Sequence, residues 1–583
     1  MQQANKAADR GDMAHPKKGI ITLLPSVIQP FSLRTAYGVR IGKWSPFGLL
    51  PSLDKRHWPD DLWVGNEERG KHVFNRRFTL AGCDISFSRH IGWFSKEGST
   101  NWLRALHSFD WMRDVIAYND SKTGAKLLRG FVEDWIFASD RMHAIAREPE
   151  IMGERVANWV LYTPVIQRNA PKIFRRRVLH ASVRQALILR GLLRAGDSEA
   201  GLSAIKGLLY VALTLPQCSF LYDEALDYLQ AELDVTLNGE RHKKIRNPED
   251  LHRILRNIID IRLALEKLAD KEHEKLEAAI SLLGKTLQYF LHADGGFPLF
   301  NGANQGDATD IAQTLDMLQQ ISAKSATSEV LIANDDAMME FCGYGRLEAG
   351  KSVVLMDVAA PEVGDGDSYF GALSFEMSHG LQRYVVNCGT FIGNDPAWSR
   401  VVRTTAAHST ICVDDRNSCQ LHKMALPKLE VVENKDAPNV ARRIVARDGY
   451  QFFEGIYNGY VPYSGLVHTR QLLMNDAGER FSGADHLEIF DGYDNARSHD
   501  VNLRFHLHPS VKAKRLMNGM VSLSSQDGEE EWMFHASVGQ AVELEEGIYL
   551  GIDGKPVSTT QIVIYAPFSP ETPWAIEWSF IKN

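Results

Sequence analysis

Cysteine is scarce in this chain. There are six in 583 residues (Cys83, Cys218, Cys342, Cys388, Cys412 and Cys419), and no two stand in Cys-x-x-Cys spacing. A disulfide framework or a thiolate zinc site is therefore not expected, and the thiols read as reduced and mostly structural. Long apolar runs are missing too: none approaches the roughly 18 residues that mark a membrane span. Nor is there an excess of positive charge. The net charge is −8, which lacks the basic footprint of a nucleic-acid-binding protein. The first 18 residues have no basic start, apolar stretch and small-residue cleavage site in succession, so export is not supported and a cytoplasmic location is expected. What is present is ordinary: 44% hydrophobic and 24% charged residues, the make-up of a globular protein. The length exceeds what one core can hold, so two or three domains are expected. The oligomeric state is left open.

Along the chain the pattern changes character twice. Residues 1–20 are polar and unpatterned and read as a disordered tail. Residues 21–95, rich in Trp, Gly, Pro and Arg, read as an irregular arm, with 72–80 as a strand-like piece. From 96 to 325 the period is helical. Leu251, Ile254, Leu255, Ile258 and Ile259 recur at i, i+3, i+4, i+7 and i+8, one face of a 3.6-residue period. Eight to ten helices are predicted, roughly at 101–118, 124–145, 152–168, 172–195, 199–215, 219–236, 248–269, 271–292 and 307–319, and Asn247-Pro248 makes a sensible helix entry. Turn formers crowd a hinge from 293 onward. From 336 to 583 short alternating runs replace the helices. In 501–508, Val501, Leu503, Phe505 and Leu507 fall on one face and Asn502, Arg504, His506 and His508 on the other. Helices first and strands second argue for an all-α domain followed by an antiparallel β-sandwich.

Several stretches together carry a resemblance to a known family. They are 101–113, Asp134-Trp135 and 155–159 in the helical half, and the turn 292–302. In the strand half they are 373–376 (Leu-Ser-Phe-Glu), 386–389 (Val-Asn-Cys-Gly) and 405–410 (Thr-Ala-Ala-His-Ser-Thr). With these the chain resembles the heparinase II/III-like family. The resemblance implies an N-terminal (α/α) toroid joined to a C-terminal antiparallel β-sandwich, and activity as a polysaccharide lyase on uronic-acid-containing chains. An acidic polysaccharide or oligosaccharide would then be the partner. It also makes the periplasm or cell envelope the alternative location. In such a reaction a base takes the C5 proton, an acid protonates the leaving oxygen, and something neutralises the carboxylate. The resemblance implies that an Asn of the toroid faces the carboxylate, that Tyr and His serve as acid and base, and that a metal held by two His and one Asp often braces the sandwich.

At most of those points this chain departs from the pattern. Tyr369 stands where the family has a His, and Asn387 where it has the metal-binding Asp; only His408 matches. The toroid Asn-His pair falls at 199–201 and the Tyr just after Asn247-Pro248, where Glu249, Asp250 and Leu251 stand. One imidazole, one amide and one phenol make a poor zinc set, so no bound metal and no other cofactor are expected. The candidate catalytic residues are His408, Arg403 and Tyr369. The candidate substrate-binding residues are Arg246, His242, Asn301, Trp159 and Asn387. Several of His408, Arg403, His242, Arg246 and Asn301 are expected to converge on a cleft between the domains.

Plainer readings stand beside these. His408 could be a satisfied core histidine, and Arg403 an ion-pair arginine. Glu376 reads as an outward-facing strand residue. Trp102, His107, Trp111, Trp135 and Trp159 could line a sugar cleft or simply pack a core. The run 175–177 (Arg-Arg-Arg) could attract an acidic glycan or sit in solvent. Two alternatives to a lyase remain. One is a glycan-binding or assembly protein of the same fold that has lost catalysis. The other is a toroid-type glycoside hydrolase using Asp294 with Asp307 or Asp310.

Overall fold

The computed structural model describes residues 53–583 apart from 89–91, 94–96, 140–143, 197–200, 239–244, 272, 325–334, 362–367, 420–439, 448, 492, 494–496 and 538–540. The expected tail 1–20, the first part of the arm and His242 lie outside the described residues. All that follows concerns one compact unit, residues 49–583.

The helical half is a double-layered ring. Its long helices are α1 (Thr100–Ser108), α2 (Lys122–Ala138), α3 (Pro149–Leu161), α4 (Lys172–Arg194), α5 (Leu202–Thr214), α6 (Tyr222–Leu237), α7 (Pro248–Ala269), α8 (Glu274–Phe290) and α9 (Ala308–Lys324). Helices α1, α3, α5 and α7 touch in succession as an inner row, and the intervening helices back them from outside. This is the toroid, and its inner helices are buried on two faces rather than one. Helix α7 begins as its sequence dictates: the Asn247 side chain accepts from the Glu249 and Asp250 amides, and Pro248 occupies the first turn.

Two of the expected helices are broken. The span expected at 101–118 splits at Phe109, whose φ is 63°, a left-handed conformation that a non-glycine residue rarely adopts. Its ring is held in an aromatic cluster, stacked with Trp93 and Trp111 and edge-on to Trp135 and Trp159. The span expected at 152–168 ends at Leu161, and a separate turn of helix, Thr163–Ile166, follows. In the arm, the strand-like piece at 72–80 is half helix: Glu67–Phe74 is helical, and only Arg77–Leu80 pairs, with Cys83–Ser86. The arm is part of the helical core, since Trp58 and Trp63 are buried in it.

The C-terminal half is an antiparallel sandwich. Strands β1 (Tyr344–Ala349), β2 (Ser352–Asp357), β3 (Phe375–His379), β4 (Gln382–Val386), β5 (Ile411–Val413), β6 (Val440–Arg447), β7 (Tyr450–Tyr457), β8 (Leu466–Asn475), β9 (Arg480–Ile489), β10 (Val501–Leu507), β11 (Lys512–Arg515), β12 (Val521–Ser524), β13 (Glu531–Ala536), β14 (Ala541–Tyr549), β15 (Val557–Tyr565) and β16 (Trp574–Lys582) form two sheets. One has the order β14-β15-β10-β4-β3-β2-β1, with β5 paired to β10; the other has β11-β12-β13-β16-β9-β8-β7-β6. Phe375, Phe481, Phe505, Trp578 and Phe580 interlock between them. The first sheet is covered twice. Every residue of β2 and β3 is buried, and in β10 only Arg504 is partly exposed. Its second face is buried partly against the loop 292–305. The polar side of the 501–508 alternation is therefore not a solvent face: His506 is buried and donates from Nε2 to the Ala406 carbonyl at 3.0 Å.

Candidate functional site

Where the toroid meets the sandwich lies a polar clamp that is buried except at Asp294, which is partly exposed. His292, at the end of the helical half, contacts Ser378 Oγ through Nδ1 (2.8 Å) and Glu376 Oε2 through Nε2 (3.2 Å). Glu376 Oε1 accepts from the Leu299 and Asn387 amides, each at 2.9 Å. Arg383 donates twice to Asp294 (2.7 and 2.9 Å) and to the Phe297 carbonyl (2.7 Å). Burial works to raise the Asp294 carboxyl, but the Arg383 guanidinium outweighs it and holds it below the usual carboxylate range. Glu376 is completely buried, which corrects its reading as an outward-facing strand residue: the strand has no solvent face here. Asp294 is consumed by Arg383 and is not free to serve as half of a hydrolase pair.

Beside this clamp lies a second, more open contact, and it gathers most of the expected site residues. Arg246 Nη2 donates to Asp357 Oδ1 at 2.6 Å, and Asn301 Nδ2 donates to Asp357 Oδ2 at 3.2 Å and to the Tyr344 hydroxyl. From the sandwich side, the half-exposed Tyr369 hydroxyl pairs with Thr390 Oγ1 at 2.8 Å. It also lies against Gly302, whose φ of 90° and closeness to the phenol (a Cβ would sit 3.0 Å from it) leave no room for a side chain. The Arg403 guanidinium lies 5.8 Å from the centre of the Tyr369 ring. The His408 ring meets the same phenol edge-on, with centroids 6.3 Å apart.

The structure places four of the expected site residues differently from expectation. His408 is at the seam but only 3% exposed; its Nδ1 donates to the Thr404 carbonyl at 2.8 Å, and burial lowers its pKa. It stands behind Tyr369 rather than in the open. Asn387 is enclosed: its amide oxygen accepts from the Ser409 amide at 2.9 Å and its nitrogen faces Glu376 at 3.4 Å, so it ties strands together and cannot reach a ligand. Trp159 is likewise fully buried and edge-on to Trp135 and Phe109; it and the other helical tryptophans are core, not a sugar platform. Arg246 is buried on Asp357 and acts as a tether.

Zinc does not suit this corner. The His408 imidazole, the Asn387 amide and the Tyr369 hydroxyl are each engaged with another partner, and only one of the three is a usual zinc ligand. Among the described residues no group of three His, Cys, Asp or Glu side chains is placed to hold a metal ion.

One seam residue went unmarked as a candidate. Glu249, in the first turn of α7, accepts from the Asn304 amide at 3.1 Å. The Asn304 side chain, turned nitrogen-first, donates to the Thr390 carbonyl at 3.2 Å. Glu249 and Tyr369 thus hold the same short turn, 302–304, from the two domains. Burial, with Asp250 nearby, pushes the Glu249 carboxyl up to about 7, the range in which a carboxyl works as a proton acceptor or donor at neutral pH.

Two cavities stand out among the described residues, and neither is the expected cleft between domains. An open trough of about 550 Å³ lies on the outer face of the second sheet, along Gln471, Arg480, Ser482, His535 and Glu577. A cavity of about 350 Å³ lies inside the toroid. It is lined by polar residues that recur at helical spacing on the inner row: Glu150, Glu154 and Asn158 of α3, Lys206 and Tyr210 of α5, and His252, Arg256 and Asp260 of α7. Each of these helices carries an apolar face and a second, inward polar stripe. That stripe was the signal in the sequence, and it reads as solvent-facing unless the helix is known to be inner.

Residues 332–579 match the family model described as heparinase II/III-like, C-terminal. Among solved structures, a heparinase III is similar over 95% of this chain and 89% of its own, with a TM-score of 0.68 and 14% identity. A heparan sulfate lyase from Pedobacter heparinus is similar over 91% of this chain and 86% of its own, with a TM-score of 0.57 and 14% identity. No curated protein matches. The toroid-plus-sandwich fold is thus shared along nearly the whole chain, and the sandwich carries the heparinase II/III-like signature.

Proposed function

We propose that the protein is a polysaccharide lyase that cleaves a uronic-acid-containing chain by β-elimination at the seam. The observation that carries this reading is the grouping of Tyr369, Arg403 and Glu249 around the turn 302–304, where the two domains of a lyase-type fold meet. Arg403 neutralises the uronate carboxylate by charge-assisted hydrogen bonds, which makes loss of the C5 proton tolerable. Glu249, poised near neutrality, accepts that proton, and the Tyr369 hydroxyl donates one to the departing 4-linked oxygen. His408 acts as a positioning residue behind the phenol. The engaged side chains at the family's metal-binding positions support a reaction that runs without zinc.

The test is to follow formation of the unsaturated uronate by its ultraviolet absorbance on a panel of acidic polysaccharides. Wild-type protein should generate it on at least one, and Arg403→Ala should lower kcat, because the charge it neutralises grows as the C5 proton leaves. Release of reducing ends without that absorbance would sink the reading and favour a hydrolase. Saturable binding with no turnover on any uronate-containing chain would favour a binder that has lost catalysis. The buried, internally bonded state of Asn387 and His408 is the observation that keeps that second reading in view.

A further inference from the structure

The outer layer of the toroid carries a charge pattern that neither the seam nor the cavity uses. Helix α4 holds seven Lys and Arg residues in 23 and no Asp or Glu, in a chain whose net charge is −8. Among the described residues its ion pairs are Arg177 with Glu133, and Arg190 and Arg194 with Glu224 of α6 at the far end. Lys172, Arg176 and Arg184 are exposed and make none. With Ile173 and His180 they form one outward stripe, spaced by three or four residues. Helix α2 lies alongside: Arg129 packs over the Phe174 ring at 5.7 Å, and Arg177 over the Phe137 ring at 4.5 Å. It adds Lys122 and Lys126 on its exposed side. Residues 120–138 and 168–184 together hold nine Lys and Arg against three acids, Asp120, Glu133 and Asp134. Two apolar side chains stand out of this basic field. Ile173 and Phe137 are each 67% exposed, and Arg177 links them, one turn after Ile173 and in contact with Phe137.

The unmatched cations select a polyanion as partner, and the apolar pair selects which. A single exposed apolar residue is ordinary; two of them ringed by cations fit a surface that is anionic outside and apolar just beneath. A soluble acidic chain would meet the cations and leave Ile173 in water. An anionic bilayer meets both, because its phosphates face the cations and the head-group boundary takes up the apolar side chains. No helix among the described residues is long and apolar enough to cross a membrane, so the contact concerns the surface alone. We propose that the α2–α4 face docks on an anionic lipid surface, with Phe137 and Ile173 entering the head-group boundary and Lys172, Arg176 and Arg184 meeting phosphates. This goes beyond the lyase reading and does not depend on turnover at the seam.

Co-sedimentation of the full-length protein with vesicles tests it, using phosphatidylcholine alone and phosphatidylcholine with about one-third phosphatidylglycerol. The mixed vesicles should retain the protein, less so as salt rises, and the neutral ones should not. Arg176→Ala should weaken binding about five-fold, and adding Arg184→Ala about five-fold again, the worth of a cation at an anionic surface. Ile173→Ser with Phe137→Ser should weaken it about ten-fold or more, because the apolar anchor is lost. Arg480→Ala, on the outer face of the sandwich, should change nothing. Equal retention by both vesicle types, retention by neither, or full binding by the Ile173→Ser, Phe137→Ser protein overturns the proposal. Binding of a soluble uronate-containing polysaccharide that Arg176→Ala weakens, with no vesicle binding, also overturns it and assigns the face to a linear polyanion. The seam reading is judged separately: lyase product can form with no vesicle binding, and the reverse.

Discussion

Two buried polar regions of this molecule are built by opposite rules. In the seam clamp every strong group is matched: His292 to Ser378 and Glu376, Arg383 to Asp294 and a carbonyl, Glu376 to two amides. In the toroid cavity charges share partners, Arg113 between Asp61 and Asp110 and Lys206 between Glu154 and Asp260, and space remains. A closed network fixes geometry, because any opening leaves a buried group unpaired. A network of shared partners with room beside it is less rigidly fixed. The comparison assigns the first to holding the domains together. The half-exposed Tyr369 corner lies beside the clamp, which keeps the two domains' residues in register for chemistry.

The largest effect should come from breaking the clamp. Arg383→Met strands the Asp294 carboxylate and removes the tie to the loop, and should destabilise the fold by about 3–5 kcal/mol, as removing one partner of a buried pair does. Chemical denaturation measures it. A loss under about 1 kcal/mol, typical of an exposed pair, would break the contrast. In the cavity the same kind of change should be mild: Asp110→Asn removes one of the two carboxylates on Arg113, at the exposed rim, and should stay within about 0.5 kcal/mol of wild type.

Next in size is chemistry at the seam. Tyr369→Phe should lower kcat by roughly 10²–10⁴, the usual worth of a positioned proton-transfer group, with little change in melting temperature. Equal turnover would remove Tyr369 from the mechanism.

A smaller effect concerns pH. The folded-state pKa of Glu249, about 7, is raised above its ordinary value of 4.5, so between those values the folded protein binds more protons than the unfolded chain. Its contribution to stability is therefore full below about pH 4.5 and is lost as pH rises through about 7. Glu249→Gln should flatten the stability–pH curve in that window; an unchanged slope would show that the carboxyl is not perturbed. The smallest expected effect is none: prolonged chelation should leave turnover and melting temperature unchanged, and a loss restored by zinc would show that the seam does take a metal.

Much of this was legible in the sequence, for physical reasons that also mark where legibility ends. The 3.6-residue apolar period of α7 and its Asn247-Pro248 entry depend on local geometry, and both hold in the structure. The order of helices before strands holds too. The break at Phe109 depends on packing among distant tryptophans, which no local rule reports. Glu376 is misread as outward-facing when its strand is given a solvent face, and Asn387, substrate-binding by its family position, lies on the same covered face. Strict alternation assumes a sheet with one wet face, and here parts of the second face are covered by the interdomain loop and neighbouring strands. That His408 and Tyr369 belong together followed from their family positions; that His408 would be sealed behind the phenol did not.

The account's central claim is that the seam performs an elimination, and mass spectrometry of the products tests it most directly. Full-length protein incubated with a uronate-containing polysaccharide should yield oligosaccharides whose new ends are unsaturated and carry no added water, and Tyr369→Phe should suppress them. Products that have each gained one water at the cleaved bond, or no products from any such chain, would contradict it.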